Sequence, residues 1–131
     1  LGTDAVPRPD DAELAATWAR LRGTLSAWAE SIDRPVLFSE IGYPATSWAA
    51  RRPWDDVPRA DSEPDPTEQA RLYDAFCDAW VGRADTPRFA GFYVWNWFGA
   101  GGPADAGYTP RGKPAEERLR ACLRRGAPAR E

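Results

Sequence analysis

The chain has 131 residues, 43% hydrophobic and 28% charged, a balance ordinary for a folded domain. Its formal net charge of −3 and pI near 5.1, with no stretch that concentrates Lys or Arg, exclude a phosphate backbone as the expected partner. No apolar run approaches the ~20 residues of a membrane span, and with no histidine and two cysteines a zinc or redox-metal site has almost no ligands, so no metal or cofactor is expected.

Leu1-Gly2-Thr3-Asp4-Ala5-Val6 reads as the end of a strand, and the chain contains no methionine. Both features predict the carboxyl-terminal portion of something longer, with residues 1–126 as one structural unit and 127–131 as a frayed, disordered tail. After Pro7-Arg8-Pro9, Asp10 with Glu13 three residues on is a capping-box start. Leu14, Trp18, Leu21, Leu25, Trp28 and Ile32 then recur at steps of three and four, one face of a long amphipathic helix. Its tryptophans are expected in the core, and Arg20, Arg22 and Glu30 on the wet side.

Asp33-Arg34-Pro35 ends that helix and introduces Val36-Leu37-Phe38-Ser39-Glu40-Ile41-Gly42-Tyr43. This short apolar run reads as a parallel strand buried on both faces. Glu40 at its carboxyl end is the most informative residue of the chain. An ionised carboxylate there is costly unless paired or used, and the carboxyl ends of parallel strands are where barrel and open-sheet enzymes keep their chemistry. Strand alternation predicts Val36, Phe38 and Glu40 on one face and Leu37, Ser39 and Ile41 on the other. If the first set faces a barrel axis, Glu40 emerges at the catalytic rim. Gly42 is expected to let the backbone turn out of the strand, and Tyr43 to hydrogen-bond Glu40 and keep it ionised. A salt bridge from Arg51 or Lys113 is the structural alternative for Glu40.

The segment from Pro44 to Pro66 is long and irregular; Trp48 and Trp54 within it argue against plain disorder. Its acidic residues lack the spacing of a calcium loop and read as solvated. Asp65-Pro66-Thr67-Glu68 starts a second helix running through Leu72, Phe76, Cys77 and Trp80 towards Gly82. A second buried strand follows in Phe89 to Trp97, where Tyr93, Trp95 and Trp97 share one face and Phe92, Val94 and Asn96 the other. A glycine-rich loop leads to Tyr108-Thr109-Pro110-Arg111-Gly112-Lys113-Pro114, with Arg111 and Lys113 expected as loop anchors. A last helix begins at Pro114, its Glu116, Glu117, Arg124 and Arg125 placed to suit the helix dipole. Cys77 and Cys122, in separate helices, read as buried free thiols, with an interhelical disulfide as the alternative.

Strand, helix, strand, helix, strand, helix predicts an α/β fold with parallel strands and helical crossovers. Two and a half such units cannot close an eight-stranded barrel of about 250 residues. The choice lies between a small open domain and the last part of a barrel.

The Glu40 strand, Tyr93-Val94-Trp95-Asn96-Trp97 and Tyr108 to Glu116, in that order, resemble the carboxyl-terminal part of glycoside hydrolase family 113. These are the β-mannanase-like members of a clan of retaining (β/α)8 glycosidases. The resemblance covers about Leu1 to Leu123 and implies the C-terminal portion of a TIM barrel, from a strand 6 remnant to helix 8. It implies that Glu40 is the nucleophile, that Trp95 or Trp97 floors the sugar, and that the acid/base glutamate belongs to a fourth strand absent here. The passage from Ala5-Val6 straight to Pro7-Arg8-Pro9 departs from the pattern, where an aromatic-rich strand end would be expected.

The residues support sugar chemistry by themselves. Carbohydrate sites combine flat aromatics with a few polar groups, and seven tryptophans are many for this length. Trp95 and Trp97 are candidates for the cleavage site, Trp48 and Trp54 for flanking sugars, and Asn96 for a hydroxyl, provided a bulge brings it to the Trp95 side. Two function classes follow. One is a retaining glycosidase fragment acting on a β-linked, mannan-like polysaccharide, its partner the missing amino-terminal barrel half. The other is a non-catalytic carbohydrate-binding or scaffold remnant of a barrel. A self-standing small α/β domain is a third, poorer fit, because it would have to cover the open side of its sheet.

Overall fold

The computed structural model describes residues 8–55, 63–86 and 88–126. The strand remnant at 1–6, the acids at 56 and 61 and the tail at 127–131 lie outside the described residues. Asp10 caps α1 (Asp11–Ser31): its carboxylate accepts from the Glu13 N–H at 2.8 Å while Glu13 accepts from the Asp10 N–H at 3.0 Å. This reciprocal pair is set entirely by residues three apart. Asp65 caps α2 (Pro66–Trp80) in one direction only, its carboxylate accepting from the Glu68 N–H at 2.9 Å, with Pro66 in the first turn. α3 spans Pro114–Gly126 with both expected charge pairs at its ends.

Between them run β1 (Val36–Ile41) and β2 (Phe89–Val94), paired in parallel as a two-stranded sheet. α1 and α2 cover one face. Phe38 meets Trp18 of α1 and Phe76 and Trp80 of α2 edge-on, with centroids 4.9–6.4 Å apart, and Phe92 meets Phe76 at 4.9 Å. Phe76, Tyr73 and Trp80 are fully buried, and burial of the Phe76 ring contributes about 3 kcal/mol over exposure. α2 also packs against α3, where Leu119 and Cys122 are buried.

Four expectations are corrected. Cys77 and Cys122 form a disulfide between α2 and α3, their Cα atoms 5.8 Å apart, rather than free thiols. Neither strand is buried on both faces: Leu37, Ser39, Glu40 and Tyr93 are exposed, because the helices lie on one side only. The apolar stripe of α1 is buried at Leu14 and partly at Trp18 and Leu25, but Leu21, Trp28 and Ile32 are exposed. The stripe is wider than the surface that β1 and α2 offer it. On its expected wet side, Arg22 instead reaches the Ala79 carbonyl at 2.9 Å and ties α1 to the end of α2.

An ion network around the buried Glu68 fixes the start of α2. Glu68, without solvent exposure, receives Arg71 through Nε at 2.8 Å and Nη2 at 2.9 Å, and pairs with Arg8. Arg71 continues to Asp11 at 2.7 Å and the Pro9 carbonyl at 3.1 Å, joining the first turns of α1 and α2.

Candidate active site

The position of Glu40 is decided by a register shift. From the pair Phe38–Phe92 to the pair Ile41–Val94, β1 advances three residues and β2 two. β1 therefore carries one residue in excess, a bulge. Phe38 and Ile41 both belong to the packed side, so Ser39 and Glu40 together stand opposite Tyr93, and all three are exposed. The expected grouping of Glu40 with Val36 and Phe38 is thereby corrected. Unbroken alternation would have aimed the carboxylate into the aromatic cluster of Phe76 and Trp80, where an uncompensated charge costs several kcal/mol. Lys113, one of the two cations weighed as its partner, is committed elsewhere: its Nζ donates to the Gly107 carbonyl at 2.9 Å and lies 3.7 Å from Asp105.

Gly42 follows at once. Its φ is not left-handed, so the expected turn is not what requires glycine. A Cβ there would sit 1.8 Å from the carbonyl oxygen of Trp95. Trp95 also donates its N–H to the Ile41 carbonyl at 2.8 Å. The ends of the two strands touch, main chain to main chain, and only a residue without a side chain fits between them.

Tyr43 is buried, its ring edge-on to Tyr73 of α2 at 5.1 Å. Burial, and secondarily the neighbouring Tyr73, push its phenol well above the ordinary range, so it stays protonated. Glu40 and Tyr43 both border a crevice of about 380 Å³ between β1 and α1, with Leu14, Trp18 and Leu21 on its far side. A larger hollow, about 600 Å³, lies around the amino-terminal end of β2 between Trp80, Phe89, Phe92 and Leu123. It includes neither Glu40 nor a tryptophan of the β2 end.

Beyond β2 the aromatics come to the surface. Tyr93 is 65% exposed, Trp95 47%, Trp97 46% and Phe98 85%. Tyr93 stands on the open face, Phe92 and Val94 pack on the core, and Trp95 and Trp97 lie beyond the strand, both exposed. The Trp95–Asn96 peptide is cis. Asn96 is half-buried, and its Oδ1 accepts from the Phe98 N–H at 3.0 Å, a local turn contact. Trp48 is half-buried and donates from Nε1 to the Asp55 carbonyl at 3.3 Å, whereas Trp54 is 73% exposed. Both ride on the loop that leaves β1. Glu40, Tyr93 and Trp95 are brought to one end of the sheet, and all three are exposed. Among the described residues no cluster of three acidic or cysteine side chains forms a metal-binding group.

Sequence reasoning passed over Gln69, Asp105 and Phe98. Gln69 is fully buried on α2, and its Nε2 donates to the carbonyls of Tyr43 and Tyr108 at 2.8 and 2.9 Å. Its signal was a polar residue on the stripe that continues through Leu72, Phe76 and Trp80. Asp105 accepts the N–H groups of Gly101 and Gly107, each at 2.7 Å. Burial pushes its carboxyl up, but these two N–H groups and Lys113 outweigh that and hold it below the ordinary aspartate range. Burial in turn lowers Lys113, with Asp105 opposing. Arg111 donates to the Ala100 carbonyl at 3.2 Å, so both cations anchor the glycine-rich loop.

Comparison with known proteins fits this arrangement. The model of Glycoside Hydrolase Family 113 matches residues 7–109. Among solved structures, the GH113 beta-mannanase AaManA from Alicyclobacillus acidocaldarius, in complex with ManMIm, is 32% identical with a TM-score of 0.69 over 85% of this chain. A GH113 beta-1,4-mannanase superposes with a TM-score of 0.71 at 24% identity over 84% of the chain, and so shares the fold. The chain spans about 36% of the length of each of these proteins. No curated protein matches it. Two parallel strands and three helices thus form an α/β unit similar to part of these TIM-barrel enzymes, and the chain belongs to glycoside hydrolase family 113.

Proposed function

We propose that this chain is the carboxyl-terminal section, strand 6 to helix 8, of a retaining glycoside hydrolase that cleaves β-linked, mannan-like polysaccharide. Glu40 is its nucleophile. One observation carries the reading: the bulge that turns Glu40 out of the aromatic core onto the open face beside Tyr93 and Trp95. A carboxylate at the carboxyl end of a parallel strand, flanked by exposed aromatics, has what attack at an anomeric carbon needs. Glu40 forms the glycosyl ester as the bond to the leaving oxygen breaks, and an acid outside this chain protonates that oxygen. Water then hydrolyses the ester, with the same second residue acting as base. The two carboxyl groups of such a pair stand about 5–5.5 Å apart, so the remaining strands must bring the second one above the open face. Trp95 or Trp97 floors the sugar; Trp48 and Trp54 serve flanking positions.

The test is a mechanism-based fluorosugar inactivator applied to the complete gene product, followed by peptide mass mapping. Stoichiometric labelling of Glu40 is expected, together with loss of turnover. A label on another carboxylate ends the assignment. Absence of label and turnover, with oligosaccharide binding that survives Glu40→Gln, selects the non-catalytic sugar-binding remnant instead.

A further inference from the structure

Two loops leave the carboxyl ends of the sheet, and buried polar groups sew one to the other. The Ala45 N–H donates to the Ala106 carbonyl at 2.9 Å. Tyr108 Oη donates to the Pro53 carbonyl at 2.6 Å. Gln69 stands beneath both loops. Its Nε2 faces the Tyr43 carbonyl at 2.8 Å on one side and those of Tyr108 and Gly107 at 2.9 and 3.4 Å on the other. Gly107 is held again by Asp105 through its N–H and by Lys113 through its carbonyl. Thr109, fully buried, donates to the Trp97 carbonyl at 3.2 Å, so the braced segment also grips a tryptophan-bearing turn.

A primary amide suits this place. Its two N–H donors meet the carbonyls and it carries no charge to desolvate, while its Oε1 is buried without a hydrogen-bond partner among the described residues. The reverse orientation would set Oε1 against three carbonyl oxygens, so the surroundings fix the group as a donor. Tyr43 lies three residues beyond Glu40, and Tyr108 eleven beyond Trp97.

We propose that Gln69 is a positioning residue that locks the loop after Glu40 to the loop after Trp95 and Trp97, so that nucleophile and sugar floor keep one spacing when substrate binds. The proposal rests on the roles given to Glu40 and the tryptophans above, but its structural half is measurable without turnover. Gln69→Leu removes the donors, and Gln69→Glu replaces them with a carboxylate facing carbonyls. Tyr108→Phe removes a neighbouring tie with a smaller change of shape.

Hydrogen–deuterium exchange of the complete gene product is the first readout. Gln69→Leu is expected to speed exchange at 43–55 and 99–108 together, about fivefold or more, with α2 beyond Leu72 unchanged. These buried carbonyls lose their partner while the helix keeps its own hydrogen bonds. Kinetics on β-1,4-mannooligosaccharides is the second. A misplaced reacting group costs rate rather than ground-state binding, so kcat falls on the order of tenfold with KM within about twofold. Gln69→Glu recovers relative to wild type as pH falls, because a protonated carboxyl again donates one hydrogen bond. Loosening of α2 alone, loosening of one loop without the other, or an unchanged kcat with both loops loosened would overturn the proposal. Should Gln69→Leu fail to fold, Tyr108→Phe decides by the same criteria with a smaller change. An inactive wild-type product whose loops still loosen together sinks the hydrolase assignment and supports the tie.

Discussion

The two faces of this small sheet are built from the same residue types and do opposite things. On the helix face Phe38, Phe92, Phe76, Trp18 and Trp80 meet edge to face in a dry cluster. On the open face Leu37, Tyr93 and Trp95 stand in solvent beside Glu40. Aromatic content therefore does not separate packed rings from exposed ones; the side of the strand does. A single excess residue in β1 decides on which side the one carboxylate of the strand falls. A charge is costly among the packed rings and usable among the exposed ones.

Substitutions can break this contrast or sharpen it. Phe76→Ala, at the centre of the dry cluster, is expected to destabilise the fold by about 4 kcal/mol in urea unfolding. Gly42→Ala comes next. A methyl group 1.8 Å from the Trp95 carbonyl cannot be absorbed by a side-chain rotation, so the strand ends must separate. A loss of about 3 kcal/mol is expected from such overpacking. Trp95→Ala, on the open face, is expected to cost stability no more than about 0.5 kcal/mol. Oligosaccharide affinity should fall by about 1 kcal/mol, measured by titration calorimetry. Equal stability losses for Phe76→Ala and Trp95→Ala would erase the distinction between the faces.

The smallest effect expected is on the acid limb of stability. The folded-state pKa of Asp105 is depressed below its ordinary 3.8, so the group binds protons less readily in the folded chain than in the unfolded one. Its contribution is present above that value and lost as pH falls through the folded pKa. Asp105→Asn should therefore flatten the stability curve below about pH 4, the ordinary aspartate range. An unchanged slope in acid-titrated unfolding would remove Asp105 from the account.

Much of this was legible in the residues. The starts of α1 and α2 were readable from Asp10 and Asp65, because a cap is a contact between residues three apart. The parallel order of β1 and β2 followed from the helix between them. Tyr93 was readable as opposite in side to Phe92 and Val94, since β2 alternates from Phe92 to its end. The Glu40 side was misread because a bulge belongs to a pair of strands, and no property of Val36 to Ile41 alone announces it. Gly42 was singled out, but the carbonyl that requires it comes from fifty-three residues away.

Sequence by itself thus determined the three helices, the two strands and their order, because these rest on local periodicity and on contacts within one helical turn. Tertiary structure alone decided which face Glu40 takes, that Cys77 meets Cys122, and that Gln69 joins two loops. Each depends on register or on the approach of segments distant along the chain, and such distances arise only when the helices have packed on the sheet.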